Sequence, residues 1–161
     1  MSAAARTLAA VGAVACGLAV ALGAYASHGL DGENAKRAGL AALSGERPIL
    51  SEEARAVPWE VRRHWREYWL VDPLDGTGEF IAGSGDFATL IALVRDNVPV
   101  LGVIYAPEFD VLYWAVRGHG AFKEVNGETL PISAMHHEHD QPDSLVVAIS
   151  RRQKLENLTR R

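Results

Sequence analysis

The chain has one cysteine, no long basic block and no internal repeat. Cys16 cannot form a disulfide within the chain, so no oxidising compartment is indicated. Sixteen basic residues face twenty acidic ones, and the net charge of −4 argues against a nucleic-acid backbone as partner. At 161 residues the chain has room for about one domain.

The one long uncharged stretch lies near the start, at residues 8–27, and consists mostly of Ala, Val, Gly and Leu. About 20 such residues span a bilayer core. Ala24-Tyr25-Ala26 also fits a signal-peptide cleavage site. However, the run is long for a signal peptide, and Ala13 and Gly17 form a small-xxx-small helix-packing face. The pattern therefore favours a transmembrane helix over a secretory signal, and residues 17–30 resemble the first helix of a family of small bacterial membrane proteins.

Basic residues flank this helix on both sides, so its orientation stays open. Arg6 precedes it, while Lys36, Arg37 and Arg47 follow it. We expect the inner membrane, with the rest of the chain on the cytoplasmic side, and a cytoplasmic protein is the alternative. The oligomeric state is not predicted.

The main candidate for a functional motif is the segment of residues 68–77, Tyr-Trp-Leu-Val-Asp-Pro-Leu-Asp-Gly-Thr. Pro73 disfavours helix at the residue before it, so Asp72 is predicted to end a strand. Asp75-Gly76 is a turn signal, and the residues after it can open a helix. Two carboxylates beside outward-facing N–H groups suit a phosphate bridged by a metal ion. The same residues also suit a simple turn, so this motif does not decide alone.

The segments before the motif carry weaker signals. Residues 34–43 are predicted to form a short helix, and residues 48–50 a short strand. Ser51-Glu52-Glu53 by itself favours a capped helix start with acids in its first turn. Residues 58–67, rich in Arg and Trp, are predicted to be a charged surface helix or loop.

From residue 88 onward the pattern predicts β-strands separated by short turns. The predicted strands are 89–94, 100–105, 111–116, 121–125, 130–133 and 145–149. Asn126-Gly127 is a strong hairpin signal. Short connections join antiparallel neighbours, so we expect an antiparallel meandering sheet with packed helices, an α+β fold preceded by the apolar helix.

Two further motifs are weak indicators of a nucleotide-binding or metal-binding site. Gly83-Ser84-Gly85 lacks the strand–helix setting of a nucleotide-binding glycine loop. The run His136-His137-Glu138-His139-Asp140 could ligate a metal, but it is predicted to be a solvated loop.

Taken together, the motifs from about residue 48 to residue 151 resemble the inositol monophosphatase superfamily, and within it the bacterial CysQ-type 3'(2'),5'-bisphosphate nucleotidases. The match rests on spaced motifs in the same order, at residues 50–53, 59–65, 68–77 with 79–80, and 101–107. It covers roughly two-thirds of the chain. The chain then divides into an apolar transmembrane or signal-like helix, residues 1–30, and a partial phosphatase domain, residues 31–161.

The resemblance implies a Mg²⁺-dependent phosphatase that removes the 3'-phosphate of adenosine 3',5'-bisphosphate, a small phosphorylated nucleotide of sulfur assimilation. It implies metal ligands at Glu52, Asp72, the Leu74 carbonyl and Asp75. It also implies a substrate site formed by Glu52, Leu74, Asp75, Gly76 and Thr77. The backbone of residues 74–77 would hold the phosphate. Glu52 and Thr77 would be catalytic, with the Thr77 hydroxyl positioning the attacking water.

Charge arithmetic agrees with a metal at this position. Carboxylates ~5 Å apart at an effective dielectric of about 20 repel by about 3 kcal/mol per pair. Three converging acids would cost roughly 10 kcal/mol, comparable to a whole domain's stability of about 5–15 kcal/mol. If Glu52, Asp72 and Asp75 converge, they therefore need cations or protons.

The chain departs from the family pattern in three places. A Thr-x-x-Asp motif before the sheet and a Trp-Asp motif after it are not found, and Gly78 stands where the subfamily usually has lysine. We therefore expect a fragment or fusion with half of the metal site. Its activity could be impaired, and a catalytically inactive membrane-anchored fragment acting as a binding surface is the alternative.

Other phosphatase types and substrates are compatible with parts of this pattern. Inositol monophosphate or fructose bisphosphate is a rival substrate within the superfamily. A haloacid-dehalogenase-type phosphatase is set aside, because its nucleophilic aspartate would have to replace Leu74.

Overall fold

A computed structural model describes residues 47–52 and 54–133. Within these residues, seven strands form one sheet in which spatial order follows chain order. The elements are β1 (Ile49–Ser51), α1 (Trp59–Arg62), β2 (Glu67–Asp75), α2 (Thr77–Ile81), β3 (Ala88–Arg95), β4 (Val98–Ala106), a 3₁₀ turn (Pro107–Phe109), β5 (Val111–Val116), β6 (Gly120–Val125) and β7 (Glu128–Ile132). The predictions for residues 8–27, 34–43, 136–140 and 145–149 lie outside the described residues.

Strands β2 to β7 pair with their neighbours in antiparallel fashion, which confirms the predicted meander. The first strand is different, because β1 runs parallel to β2 with Ser51 opposite Val71. A parallel neighbour requires a crossover connection, and residues 52–66 with α1 supply it. The expectation that Ser51-Glu52 begins a helix was wrong. Pairing with β2 extends the chain through Ser51, and the next described helix begins at Trp59.

The hairpin turns follow the predicted chemistry. Asn126 and Gly127 have φ of 53° and 76°, the positive values that a two-residue hairpin turn of this kind needs. Because so short a turn lets pairing resume at once, Glu128 already faces Val125. Strand β7 therefore begins two residues before the predicted start at Leu130.

The core lies on one face of the sheet. Side chains alternate between faces along a strand, and seven buried apolar residues of β2, β3 and β4 form one cluster on the same face. They are Trp69, Val71, Ile91, Leu93, Leu101, Val103 and Tyr105. The opposite face carries apolar side chains that stay largely exposed, among them Leu70 and Ile104. The sheet is thus well buried on one side only.

The described helices are short and contribute no buried residue. Helix α1 is exposed, as predicted for residues 58–67, and Arg62 stacks over the Trp59 ring. Packing of helices on the sheet is not seen in this part of the chain, where close contacts run mainly between neighbouring strands. Neither α1 nor α2 is long and apolar enough to cross a bilayer.

The core can be tested with two isoleucines of opposite exposure. Ile91 is 2% exposed and Ile81 is 81% exposed. Ile91→Ala should lower the free energy of unfolding by about 2–5 kcal/mol through lost burial and a residual cavity. Ile81→Ala should change it by less than about 0.5 kcal/mol. Urea denaturation of both variants measures this, and equal losses would contradict the assignment of the core face.

Glu67 gives a pH-dependent prediction. Burial alone would raise the pKa of Glu67, but hydrogen bonds and charge from Arg95 and Arg47, at 3.1 and 3.0 Å, lower the pKa below its usual value. Because the pKa of Glu67 is lower in the folded than in the unfolded chain, the charged carboxylate stabilises the fold at pH values above the unfolded-state pKa. This stabilisation is lost as the pH falls through the folded-state pKa. Glu67→Gln should therefore cost less than about 1 kcal/mol at pH 7, since the pair is partly exposed. The deficit should shrink on acidification and in high salt. A deficit that grows as the pH falls would refute this reading of the ion pairs.

Candidate metal and phosphate site

The site is built on a β-bulge in β2. Asp72 faces Leu90 and Asp75 faces Ala88, so two residues of β2, Pro73 and Leu74, face one residue of β3. The prediction that the strand ends at Asp72 was wrong, because β2 continues to Asp75. Proline has no N–H for the ladder and is tolerated at a bulge, where the extra residue is left unpaired.

The bulge decides which way the two aspartates point. In a regular strand, residues three apart lie on opposite faces, because side chains alternate with period two. Here Asp72 and Asp75 face Leu90 and Ala88, which are two apart and share a face. The extra residue therefore brings both carboxylates to one side of the sheet.

Glu52 joins Asp72 from the neighbouring strand. It follows Ser51, the last residue of β1, which pairs with Val71. Glu52 and Asp72 line the same cavity of about 610 Å³, whose remaining lining is largely apolar. The two acids thus lie at the polar edge of an apolar groove over the exposed sheet face.

Three hydrogen bonds fix the bulged backbone. The Leu74 N–H donates to Asp72 Oδ1 at 3.1 Å, and the Thr77 hydroxyl donates to the Leu74 carbonyl at 3.1 Å. The buried Thr89 hydroxyl donates to the Pro73 carbonyl at 2.9 Å. The backbone groups at the bulge are therefore held by side chains where the ladder is interrupted.

Gly76 lets the chain turn from the strand into α2. Its φ is +90°, and a Cβ there would lie 2.8 Å from the Asp86 carbonyl oxygen. The rings of Phe80 and Phe87, 5.0 Å apart and edge to face, pack α2 against the loop that follows it. Only glycine fits this close approach.

The predicted site residues fall into two groups. Asp72, Leu74, Asp75, Gly76 and Thr77 form one continuous bulge, turn and helix start. Glu52 reaches the Asp72 side through the shared cavity, which Asp75 does not line. No group of three His, Cys, Asp or Glu residues suited to a metal is found within residues 47–52 and 54–133. The full convergence of three acids is thus not seen there, and the metal-ligand roles stay a prediction.

The donor set still suits a magnesium ion. Carboxylate and carbonyl oxygens are its preferred ligands, and Mg²⁺ keeps several waters and usually takes only one or two carboxylates. Asp72 can accept the Leu74 amide and retain lone pairs for a cation. The Leu74 carbonyl likewise has a second lone pair beside the one that Thr77 occupies.

The sequence pattern does not point to Thr89, which it predicts only as the start of a strand. The sequence feature that could have identified Thr89 is its hydroxyl group, because the other residues of this strand are apolar up to Arg95. A buried hydroxyl needs a hydrogen-bond partner. The partner could not be read from the local pattern, because it lies 16 residues away.

Comparison with known proteins identifies the family. The family model described as "Inositol monophosphatase family" matches residues 31–160. The chain belongs to the inositol monophosphatase family. Phosphatases of this family are generally metal-dependent.

Curated relatives in this family include bisphosphate nucleotidases. The chain is 54% identical over 89 residues to the 3'(2'),5'-bisphosphate nucleotidase CysQ of Salmonella typhimurium, covering 55% of this chain and 35% of that protein. It is 44% identical over 110 residues to the protein of the same description from Aggregatibacter actinomycetemcomitans, covering 68% and 40%. The chain thus spans less than half the length of these relatives.

Solved structures confirm the fold. The CysQ structure from Bacteroides thetaiotaomicron superposes with a TM-score of 0.64 at 35% identity, covering 74% of this chain and 49% of that one. The inositol monophosphatase of Anabaena gives a TM-score of 0.63 at 26% identity, covering 76% and 48%. The α+β prediction with a meandering sheet is therefore confirmed at the level of the family fold.

Two glycines test the turn after the bulge. Both Gly76 and Gly83 have positive φ, but a Cβ at Gly83 meets nothing within 4 Å. Gly83→Ala should cost about 1–2 kcal/mol of stability for the left-handed backbone alone. Gly76→Ala should cost about 1–3 kcal/mol more, because its Cβ clashes with backbone. Chemical denaturation compares them, and equal costs would show that the close approach to Asp86 is not rigid.

Proposed function

We propose that this chain carries the metal- and phosphate-binding part of a Mg²⁺-dependent phosphatase whose substrate is adenosine 3',5'-bisphosphate. The reaction releases the 3'-phosphate and leaves AMP. The observation that carries the proposal is the bulge, which brings Asp72 and Asp75 to one side of β2 beside the Leu74 carbonyl and Thr77. The choice of substrate rests on the nucleotidase relatives.

In this proposal Glu52, Asp72, Asp75 and the Leu74 carbonyl hold the magnesium ions. When bound, Mg²⁺ neutralises phosphate charge and stabilises the leaving oxygen. The protein's contribution is to hold its oxygens in place beforehand. The Leu74 N–H does this for Asp72, because its bond to Oδ1 orients the carboxylate.

The phosphate would contact the chain between Leu74 and Thr77. The N–H groups of Thr77 and Gly78, at the start of α2, have no partner within the helix, because the first return bond runs from the Phe80 N–H to the Gly76 carbonyl. Helix α2 has only five residues. Individual N–H groups, rather than a helix dipole, would therefore bind the phosphate oxygens.

Thr77 would position the attacking water. Its hydroxyl donates to the Leu74 carbonyl, so its lone pairs are directed elsewhere and can accept a hydrogen bond from water. The family resemblance implies an aspartate as the partner of this threonine. Among the described residues the Thr77 hydroxyl donates to a carbonyl, which cannot take up a proton as an aspartate can. This contact would therefore orient the water without helping to deprotonate it.

A second candidate is a binding surface without catalysis. The observation that favours it is the apolar sheet face, where Leu70, Ile104 and Ile132 are 44%, 47% and 40% exposed. Inositol monophosphate stays a rival substrate for the enzymatic reading. Attachment of the chain through residues 8–27 to the cytoplasmic side of the inner membrane also stays a prediction, resting on the uncharged run.

Aspartate-to-asparagine variants separate the two candidates. Asp72→Asn should lower Mg²⁺-dependent phosphate release from adenosine 3',5'-bisphosphate by more than about 100-fold, since partners of metal ligands alone typically account for 10–100-fold. Asp96→Asn is the matched control, because Asp96 lies in an exposed turn with φ 47°, which asparagine tolerates. It should release phosphate at the wild-type rate.

The assay is run in parallel with inositol monophosphate. Preference for that substrate would replace the nucleotide assignment but keep the phosphatase. If the wild-type chain releases no more phosphate than Asp72→Asn from either substrate, the binding-surface candidate stands instead.

A further inference from the structure

We propose that Thr89 is a positioning residue of this site, whose hydroxyl sets the orientation of the Asp72 carboxylate through the Pro73–Leu74 peptide group. The inference rests on the proposed function, in which Asp72 is a metal ligand. Thr89 touches neither the phosphate nor the metal in this role. It acts on the backbone that holds Asp72.

The contacts are specific to one peptide plane. Thr89 Oγ1 donates to the Pro73 carbonyl at 2.9 Å, and the Leu74 N–H donates to Asp72 Oδ1 at 3.1 Å. The Pro73 carbonyl and the Leu74 N–H belong to the same planar, rigid peptide unit. Thr89 therefore holds one end of this unit, and Asp72 is bound to the other end.

The bulge makes this bond necessary. The ladder between β2 and β3 is interrupted from Asp72 to Asp75, where Thr89 faces both Pro73 and Leu74. Thr89 is 1% exposed and Pro73 is buried as well, so water cannot take over the Pro73 carbonyl. Without the hydroxyl, the peptide unit would lose the contact that fixes its rotation.

The consequence for the metal site follows directly. If the Pro73–Leu74 unit rotates, the Leu74 N–H turns away from Asp72 Oδ1, and the carboxylate loses the partner that orients it. The Leu74 carbonyl, which follows in the chain, shifts too and strains its bond with Thr77. Partners that orient a ligand typically account for 10–100-fold in metal affinity.

The test measures Mg²⁺ affinity in the full chain with variants of similar shape. Thr89→Val keeps the β-branched shape and removes the hydroxyl. Mg²⁺ titration is followed by calorimetry and by the fluorescence of the four tryptophans of the chain, of which Trp69 lies in β2. We expect the dissociation constant to rise about 10-fold in Thr89→Val. Thr89→Ser, which restores the hydroxyl, should recover most of the affinity.

A matched control is Thr129→Val in β7, where Thr129 is exposed and faces Glu124. It should bind Mg²⁺ as the wild type does. All titrations are made at a temperature where circular dichroism shows each variant folded, so that a loss of stability does not register as a loss of affinity. If Thr89→Val is less stable but binds Mg²⁺ as tightly as the wild type, Thr89 is only structural and the proposal is overturned.

Two further outcomes are informative. If Thr89→Val does not fold, Thr89→Cys is compared with Thr89→Ser, because the two are similar in size but the thiol is a weak donor. Weaker Mg²⁺ binding by the cysteine variant supports the proposal, and equal binding overturns it. A wild-type chain that binds no Mg²⁺ overturns the proposed function itself and this inference with it, which is a different result from unchanged affinity in Thr89→Val.

Discussion

One constraint shapes this site: a strand alternates its side chains with period two, while the motif spaces its aspartates three apart. A regular strand would put Asp72 and Asp75 on opposite faces, where they could not share a ligand. The extra residue at the bulge removes that conflict, as the pairing with Leu90 and Ala88 shows. Pro73 suits the position because it has no N–H to lose from the ladder. The chemistry of the motif thus depends on a local defect in the sheet.

The rest of the sheet makes this defect rigid. Strand β2 lies between β1 and β3, and β1 pairs with it from Trp69 to Val71, directly before the bulge. Trp69 and Val71 are also buried in the core. A bulge on an unsupported strand could slip its register, but a slip here would move the buried side chains to the exposed face. Functional groups on packed strands keep their geometry better than groups on loops. The core face therefore acts on the site by fixing the register of β2.

The predictable parts of the structure are those with local causes. The turn at Asn126-Gly127 and the strand Val111–Val116 follow from turn chemistry and alternation, and the structure confirms them. The predicted strand end at Asp72 was wrong. The conformational effect of proline concerns only the residue before it, whereas the bulge depends on pairing with the neighbouring strand. Thr89 was missed for a related reason, since its hydroxyl bonds to a carbonyl of another strand. Contacts between strands are set by tertiary register, which no local pattern contains.

The exposure of the acids changes the charge argument for the metal. Three converging buried carboxylates would repel by roughly 10 kcal/mol at an effective dielectric of about 20. In the structure, however, Glu52 and Asp75 are exposed and Asp72 is half-buried. In water the repulsion between two close carboxylates falls to about 1 kcal/mol, so the fold is stable without a bound cation. The same screening weakens the attraction for Mg²⁺, which sheds its waters reluctantly. A preformed geometry then matters more than charge, because orientation is what remains to favour the metal, and in this chain orientation comes from the Pro73–Leu74 peptide group.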